Sequence, residues 1–163
     1  MTSYVGSFSH IEESSGRYAK KWTRATQKER EAYMRGVLAS PLFAGTLFYS
    51  MYPDTRAYVD LTILSAAKAI RERTVTENMV VNPHMTTVFV DGLRSRLEEH
   101  RFARGLRQLG VSARKVRGLD DQSDQFIRLA DAIAAFVRDS LEGHERLRVL
   151  YGRALADGKL REV

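Results

Sequence analysis

Hydrophobic and polar positions change period several times along the chain, and the changes mark its elements. The first 25 residues are polar and aperiodic, with Gly6, Ser14, Ser15 and Gly16, and predict a poorly specified arm carrying a short strand at Tyr4 to Phe8. From Thr26 the pattern turns helical, because Thr26 can cap and Glu29 follows three positions on, the arrangement of a capping box. That helix is expected to reach Ala39, where Ser40-Pro41 closes it. Phe43 to Met51 is aromatic and β-compatible and predicts a strand. Pro53-Asp54 then opens a longer helix, with Tyr58, Leu61, Leu64, Ala67 and Ile70 at helical spacing, ending near Thr74.

Thr86 to Val90 is a continuous β-branched and aromatic run, the pattern of a strand buried on both faces, and Gly92 marks the turn after Asp91. A charged helix is expected from Arg94 to Leu109, with Leu97, Phe102 or His100, and Leu106 near one face and Gly110 as its stop. Val111 to Val116 is the next strand candidate. The DDQSDQ segment leads into a helix from Gln125 to Leu141, and a last helix covers Glu145 to Ala156. Strands alternating with helices predict an α/β chain with crossover connections. Residues 26–163 are expected to form one domain, which suits a length of 163 residues.

Composition narrows the chemistry. Hydrophobic content of 44% and charged content of 28% are those of a globular chain rather than a disordered one. The absence of cysteine excludes disulfides, thiolate zinc sites and cysteine nucleophiles. No apolar run approaches the roughly 20 residues that span a bilayer, and the N-terminus lacks the order of a secretory signal, so a soluble cytoplasmic protein with no membrane partner is expected. The formal net charge of +6 comes mainly from arginine, whose planar fork suits phosphate, so nucleic acid is an admissible partner. His10, His84, His100 and His144 are far apart and show no metal-binding pair spacing.

One set of acids is arranged to do chemistry. At about 100° per residue, Phe126, Ala130, Ile133, Ala134, Val137 and Leu141 share one arc of their helix, expected to face the sheet, and Asp131 and Asp124 flank it. Asp91 ends an apolar strand, and in parallel sheets ligand sites gather outside the carboxyl ends of strands. Asp91 and Asp131 are therefore expected to share a metal ion, with Asp121 or Asp124 as auxiliary acid. Magnesium and manganese choose such oxygen donors, and two ions about 4 Å apart can drive phosphodiester hydrolysis. Plainer readings stand beside these: Asp91 as a strand terminator, Asp121 and Asp124 as a helix cap and first-turn acid, Asp131 paired with Arg128 or Arg138. Lys20 and Lys21 beside Trp22 suit either a phosphate with a stacked base, or a basic patch around a packing tryptophan.

Several of these segments also resemble a known family. IRLADAIAAFVR is similar to the closing motif LQLADLIAGAV of the domain-of-unknown-function 3800 family, which has an RNase H-like fold; Asp91 in VFVDG resembles its acid at the end of the penultimate core strand. Asp120 and Asp121 fall where a D-S-K-K stretch is common, and AKKWTRATQKEREAYMRGVL resembles its E-L-K-W-S segment, with Lys21 as the lysine. The resemblance implies a three-layer α/β arrangement with a mixed central sheet, and a magnesium- or manganese-dependent nuclease. Its catalytic residues would be Asp91, Asp131, Asp121 and Lys21, and its metal ligands Asp91, Asp131 and Asp124. The chain departs from the pattern at its start, where no Asp-Glu-Ser strand stands: Glu12 and Glu13 are the nearest acids, Ala19 replaces the acid before the lysine, and Arg128 the glutamine of the closing motif. A shortened or diverged member lacking the first strands is expected. Its alternatives are an inactive nucleic-acid binder, or a homo-oligomer joined through the sheet edge FAGTLFYSMY.

Overall fold

A computed structural model describes residues 4–76, 86–120 and 124–163. It runs α1 (Tyr4–Ser14), α2 (Gln27–Ala39), β1 (Leu47–Tyr49), α3 (Tyr58–Thr76), β2 (Thr87–Asp91), α4 (Arg96–Gln108), β3 (Lys115–Leu119), α5 (Gln125–Leu141), α6 (Glu145–Ala156) and β4 (Leu160–Glu162). The chain is mixed α/β, as its alternating pattern predicts. In place of one mixed central sheet, the described strands form two two-stranded sheets, β1 with β4 and β2 with β3.

Local chemistry sets the helix starts. The Thr26 hydroxyl accepts from the Glu29 amide, and the Glu29 carboxylate accepts from the Thr26 amide at 2.7 Å. Lys20 adds an ion pair to the same carboxylate at 2.6 Å, which together with the Thr26 amide holds the Glu29 carboxyl below its ordinary range. Ser95 and Glu98 repeat the capping box at α4, and Asp124 caps α5 by accepting from the Phe126 and Ile127 amides. Thr26→Ala should cost about 1 kcal/mol, read as a lower urea midpoint with an unchanged slope.

Contacts group the chain into two compact units, residues 1–47 with 121–161, and residues 48–120 with 162–163. In the first unit α5 packs on α6 and on a 3-10 turn at Trp22–Arg24, and α2 packs on α1 and α6. The segment expected as an arm with a strand at Tyr4 to Phe8 contains α1 instead, with Phe8 and Ile11 buried. Phe8 meets Phe43 edge-on at 5.7 Å, and the bare Gly36 lets Ile11 lie against α2. Three-residue spacing of Phe8 and Ile11 among serines is a faint helical signal; burial of both rings and branches decides it.

The buried side of α5 also differs from the expected arc. Leu129, Ala132, Ile133, Phe136, Val137 and Ser140 are buried, whereas Phe126 and Leu141 are half exposed. The rotation follows from the partner: α5 packs on α6, where Phe136 meets Tyr151 edge-on at 6.2 Å.

The second unit is built on a βαβ element. β2 and β3 are parallel, with Val88 opposite Val116, Val90 opposite Gly118 and Asp91 opposite Leu119, and α4 connects them. Val90, Val116, Phe102 and Leu106 form one core with Ile63 and Ala67 of α3. Gly105 lets α4 approach Ile63, where a Cβ would come within 2.8 Å of the isoleucine. β2 is buried on one face only: Val90 lies in the core, while Phe89 is 54% exposed. The expected two-sided burial fails because the helices of this core pack on the Val88 and Val90 side. Leu97, placed near the buried face of α4 by its spacing, is 78% exposed. The strand expected at Phe43 to Met51 shrinks to Leu47–Tyr49, because Pro41–Phe43 turns as a 3-10 helix.

Candidate functional site

Parallel pairing gives β2 and β3 a common carboxyl end. Asp91 is the last residue of β2 and stands opposite Leu119, so Asp120, the next residue of β3's chain, lies at the neighbouring strand end. Gly92, at φ +81°, turns the chain out of β2, and the turn runs back over β3 so closely that a Cβ on Gly118 would lie 1.8 Å from the Leu93 carbonyl oxygen. Glu99, from the first turn of α4, accepts from the Gly118 amide at 3.0 Å and pairs with Arg117 at 3.5 Å. The strand ends and the start of α4 are thus tied through Gly118. Asp91 and Asp120 are both exposed.

Asp91 belongs to the second unit; Lys21, Asp124 and Asp131 belong to the first. Within that unit Lys21 is exposed just before the Trp22 turn, and Asp131 is exposed on α5, roughly 160° around the helix from buried Leu129 at ~100° per residue. The hydrogen bonds that Arg138 donates to Asp139, with the charges of Asp139 and Glu142 and, least, of Asp131, raise the Arg138 pKa. Asp124 is the N-cap of α5, one position before the first turn in which its plainer reading put it. Asp121 and His84 lie outside the described residues. His10, His100 and His144 are exposed and belong to no metal-binding group among the described residues.

Other acids in the first unit are structural. Glu12 is buried and takes a two-point ion pair from Arg128, at 2.8 Å to Nε and 2.9 Å to Nη2. Arg128 therefore has a partner of its own, 116 positions away in sequence. Trp22 is 1% exposed, so it stacks no base; its indole N–H donates to Asp139 at 2.7 Å. Arg30 and Arg138 converge on the same carboxylate, Arg138 with Nη2 at 2.8 Å. Burial pushes the Asp139 carboxyl up, but the Trp22 and Arg138 hydrogen bonds and the two arginine charges outweigh it and leave the pKa below its ordinary value. Arg17 is fully buried with no hydrogen-bond acceptor among the described residues for any of its three nitrogens, stacked 4.3 Å over the Tyr33 ring. Burial in turn keeps the Tyr33 hydroxyl protonated far above its ordinary range.

Sequence reasoning named none of Asp139, Arg17 or the Glu12–Arg128 pair as a structural centre. An aspartate followed by a serine inside the apolar stretch AFVRDSL was the available signal for Asp139.

A metal cage made wholly of protein is not what these residues build, since no group of three or more His, Cys, Asp or Glu side chains converges among the described residues. Asp91 and Asp120 are the acids at these two strand ends, and carboxylate oxygen is the donor that magnesium takes, one or two at a time beside waters and substrate phosphates. No helix among the described residues is long and apolar enough to cross a membrane. No family model, curated protein or solved structure matches this chain.

Proposed function

We propose that the chain is a divalent-metal-dependent nuclease of RNase H-like ancestry, acting on phosphodiester bonds of nucleic acid. The observation that carries this reading is the common carboxyl end of β2 and β3, which brings Asp91 and Asp120 to neighbouring positions where parallel sheets gather ligands. The resemblance of VFVDG and IRLADAIAAFVR to the domain-of-unknown-function 3800 family supports the same chemistry. Asp91 and Asp120 would hold magnesium or manganese through hard oxygen donors; Asp131, Asp121, Asp124 and Lys21 enter through the sequence pattern and the resemblance. Bound there, the ion supplies Lewis-acid polarisation of the phosphate and a water of lowered pKa. The chain's own contribution is position: Gly118, Glu99 and the Leu93 turn fix the two strand ends against each other.

The test is manganese binding, followed by spin resonance, together with cleavage of labelled DNA, RNA and hybrid oligonucleotides. Asp91→Asn and Asp120→Asn should each weaken manganese binding about tenfold or more, the scale seen when a ligand's environment is removed, and should abolish cleavage. Asp131→Asn reads whether the α5 acid contributes. Wild-type protein that binds no manganese at millimolar concentration, or an Asp91→Asn variant that cleaves normally, would refute the reading.

A further inference from the structure

The outward face of α4 carries positive charge that forms no ion pair with the described residues of its unit. Arg96, His100, Arg101, Arg104 and Arg107 are all exposed and fall within about 140° of the helix at ~100° per residue. Each face neighbour lies one helical turn on, about 5–6 Å away. None of the five makes an ion pair or hydrogen bond through its side chain with another described residue. The helix has two acids, and both are turned off this face. Glu98 closes the capping box by accepting from the Arg94 and Ser95 amides, at 2.7 and 2.9 Å, while Glu99 is held by the Gly118 amide and Arg117. The stripe therefore runs the length of α4, from Arg96 beside the Asp91 turn to Arg107 beside Gly110, without an ion pair to a described residue.

We propose that this face binds the phosphodiester backbone of nucleic acid, feeding the strand toward the carboxyl ends of β2 and β3. The proposal deepens the nuclease reading and rests on it for the direction of feed, but the binding itself needs no metal. Arginine suits the role because its fork can meet two phosphate oxygens at once and stays charged at every physiological pH. A run of cations one turn apart matches a polymer with a charge at every nucleotide, and the recognition is of backbone, not of base sequence.

The experiment is fluorescence anisotropy with labelled single- and double-stranded DNA and RNA, in EDTA, across a salt series. Wild-type affinity should fall linearly with salt on logarithmic axes, by about 0.9 per neutralised phosphate on duplex DNA. The Arg96→Gln/Arg104→Gln/Arg107→Gln variant should bind at least about tenfold more weakly and show a slope shallower by roughly 2–3. Arg148→Gln/Arg153→Gln, which removes exposed charge from α6, should leave both quantities unchanged. Equal losses in the two variants, or an unchanged slope in the first, would overturn the proposal. So would wild-type binding to phosphatidylserine–phosphatidylcholine vesicles without binding to any oligonucleotide. Because EDTA removes the metal, failure of cleavage with this binding intact would count against the nuclease reading alone.

Discussion

Asp139→Ala is expected to destabilise the protein by about 2–3 kcal/mol, the upper part of the range for leaving a buried donor unsatisfied. The carboxylate is 3% exposed and is the meeting point of three donors from separate parts of the first unit: the Trp22 indole, Arg30 and Arg138. Alanine would leave the buried indole N–H and the part-buried Arg30 facing an empty site, while the half-exposed Arg138 turns to water. Asp139→Asn keeps an oxygen for Trp22 and discards the charge, so its cost should be smaller. Equilibrium urea denaturation measures both. The same variants carry a pH signature. The folded pKa of Asp139 lies below the roughly 3.9 of an unfolded aspartate, so the unfolded chain takes up the proton first. Its contribution is therefore complete above about pH 4 and drains away as pH falls through the lower folded value. Wild-type stability should drop more steeply than that of Asp139→Asn in this acid window; parallel curves would mean that the carboxylate is not the stabilising species.

Gly118→Ala is the second large effect. The new methyl would sit 1.8 Å from the Leu93 carbonyl oxygen and 2.7 Å from its carbon, and both atoms belong to backbone, which no rotamer change can clear. The cost should reach or exceed the upper end of the roughly 1–3 kcal/mol typical of overpacking. It should also reach the proposed metal, because the strand end that must move carries Asp91 two residues before Leu93. Weaker manganese binding in folded Gly118→Ala protein is the specific readout. Gly152→Ala is the matched control: nothing lies within 4 Å of its added methyl, and inside α6 alanine should stabilise by about 1 kcal/mol.

Local signals in the sequence carried far. Thr26 with Glu29 announced α2, Gly110 announced the end of α4, and the alanine-rich run announced α5 from Gln125 to Leu141 with both boundaries correct. These features depend on neighbours within a turn or two. What depended on distant partners was not legible. The buried side of α5 was misplaced because it is chosen by α6 and the Trp22 turn, and α1 was missed because its helix is stabilised by Phe8 and Ile11 packing rather than by propensity. Trp22 and Asp139 are 117 positions apart, and no spacing rule joins them. For the candidate site, Asp91 at a strand end was readable from VFVDG. The place of Asp120 beside it emerged only from the parallel register of β2 and β3, which a single strand pattern does not contain.

Arg17 has a thermal consequence. A guanidinium sealed among rings has surrendered its hydration shell for ring faces, with no well-formed hydrogen bond to a described residue in return. Water orders strongly around a free cation, so the loss of that shell is penalised most in the cold and less on warming. The first unit thus carries a handicap that shrinks as temperature rises, which moves the optimum of its stability curve toward the warm side.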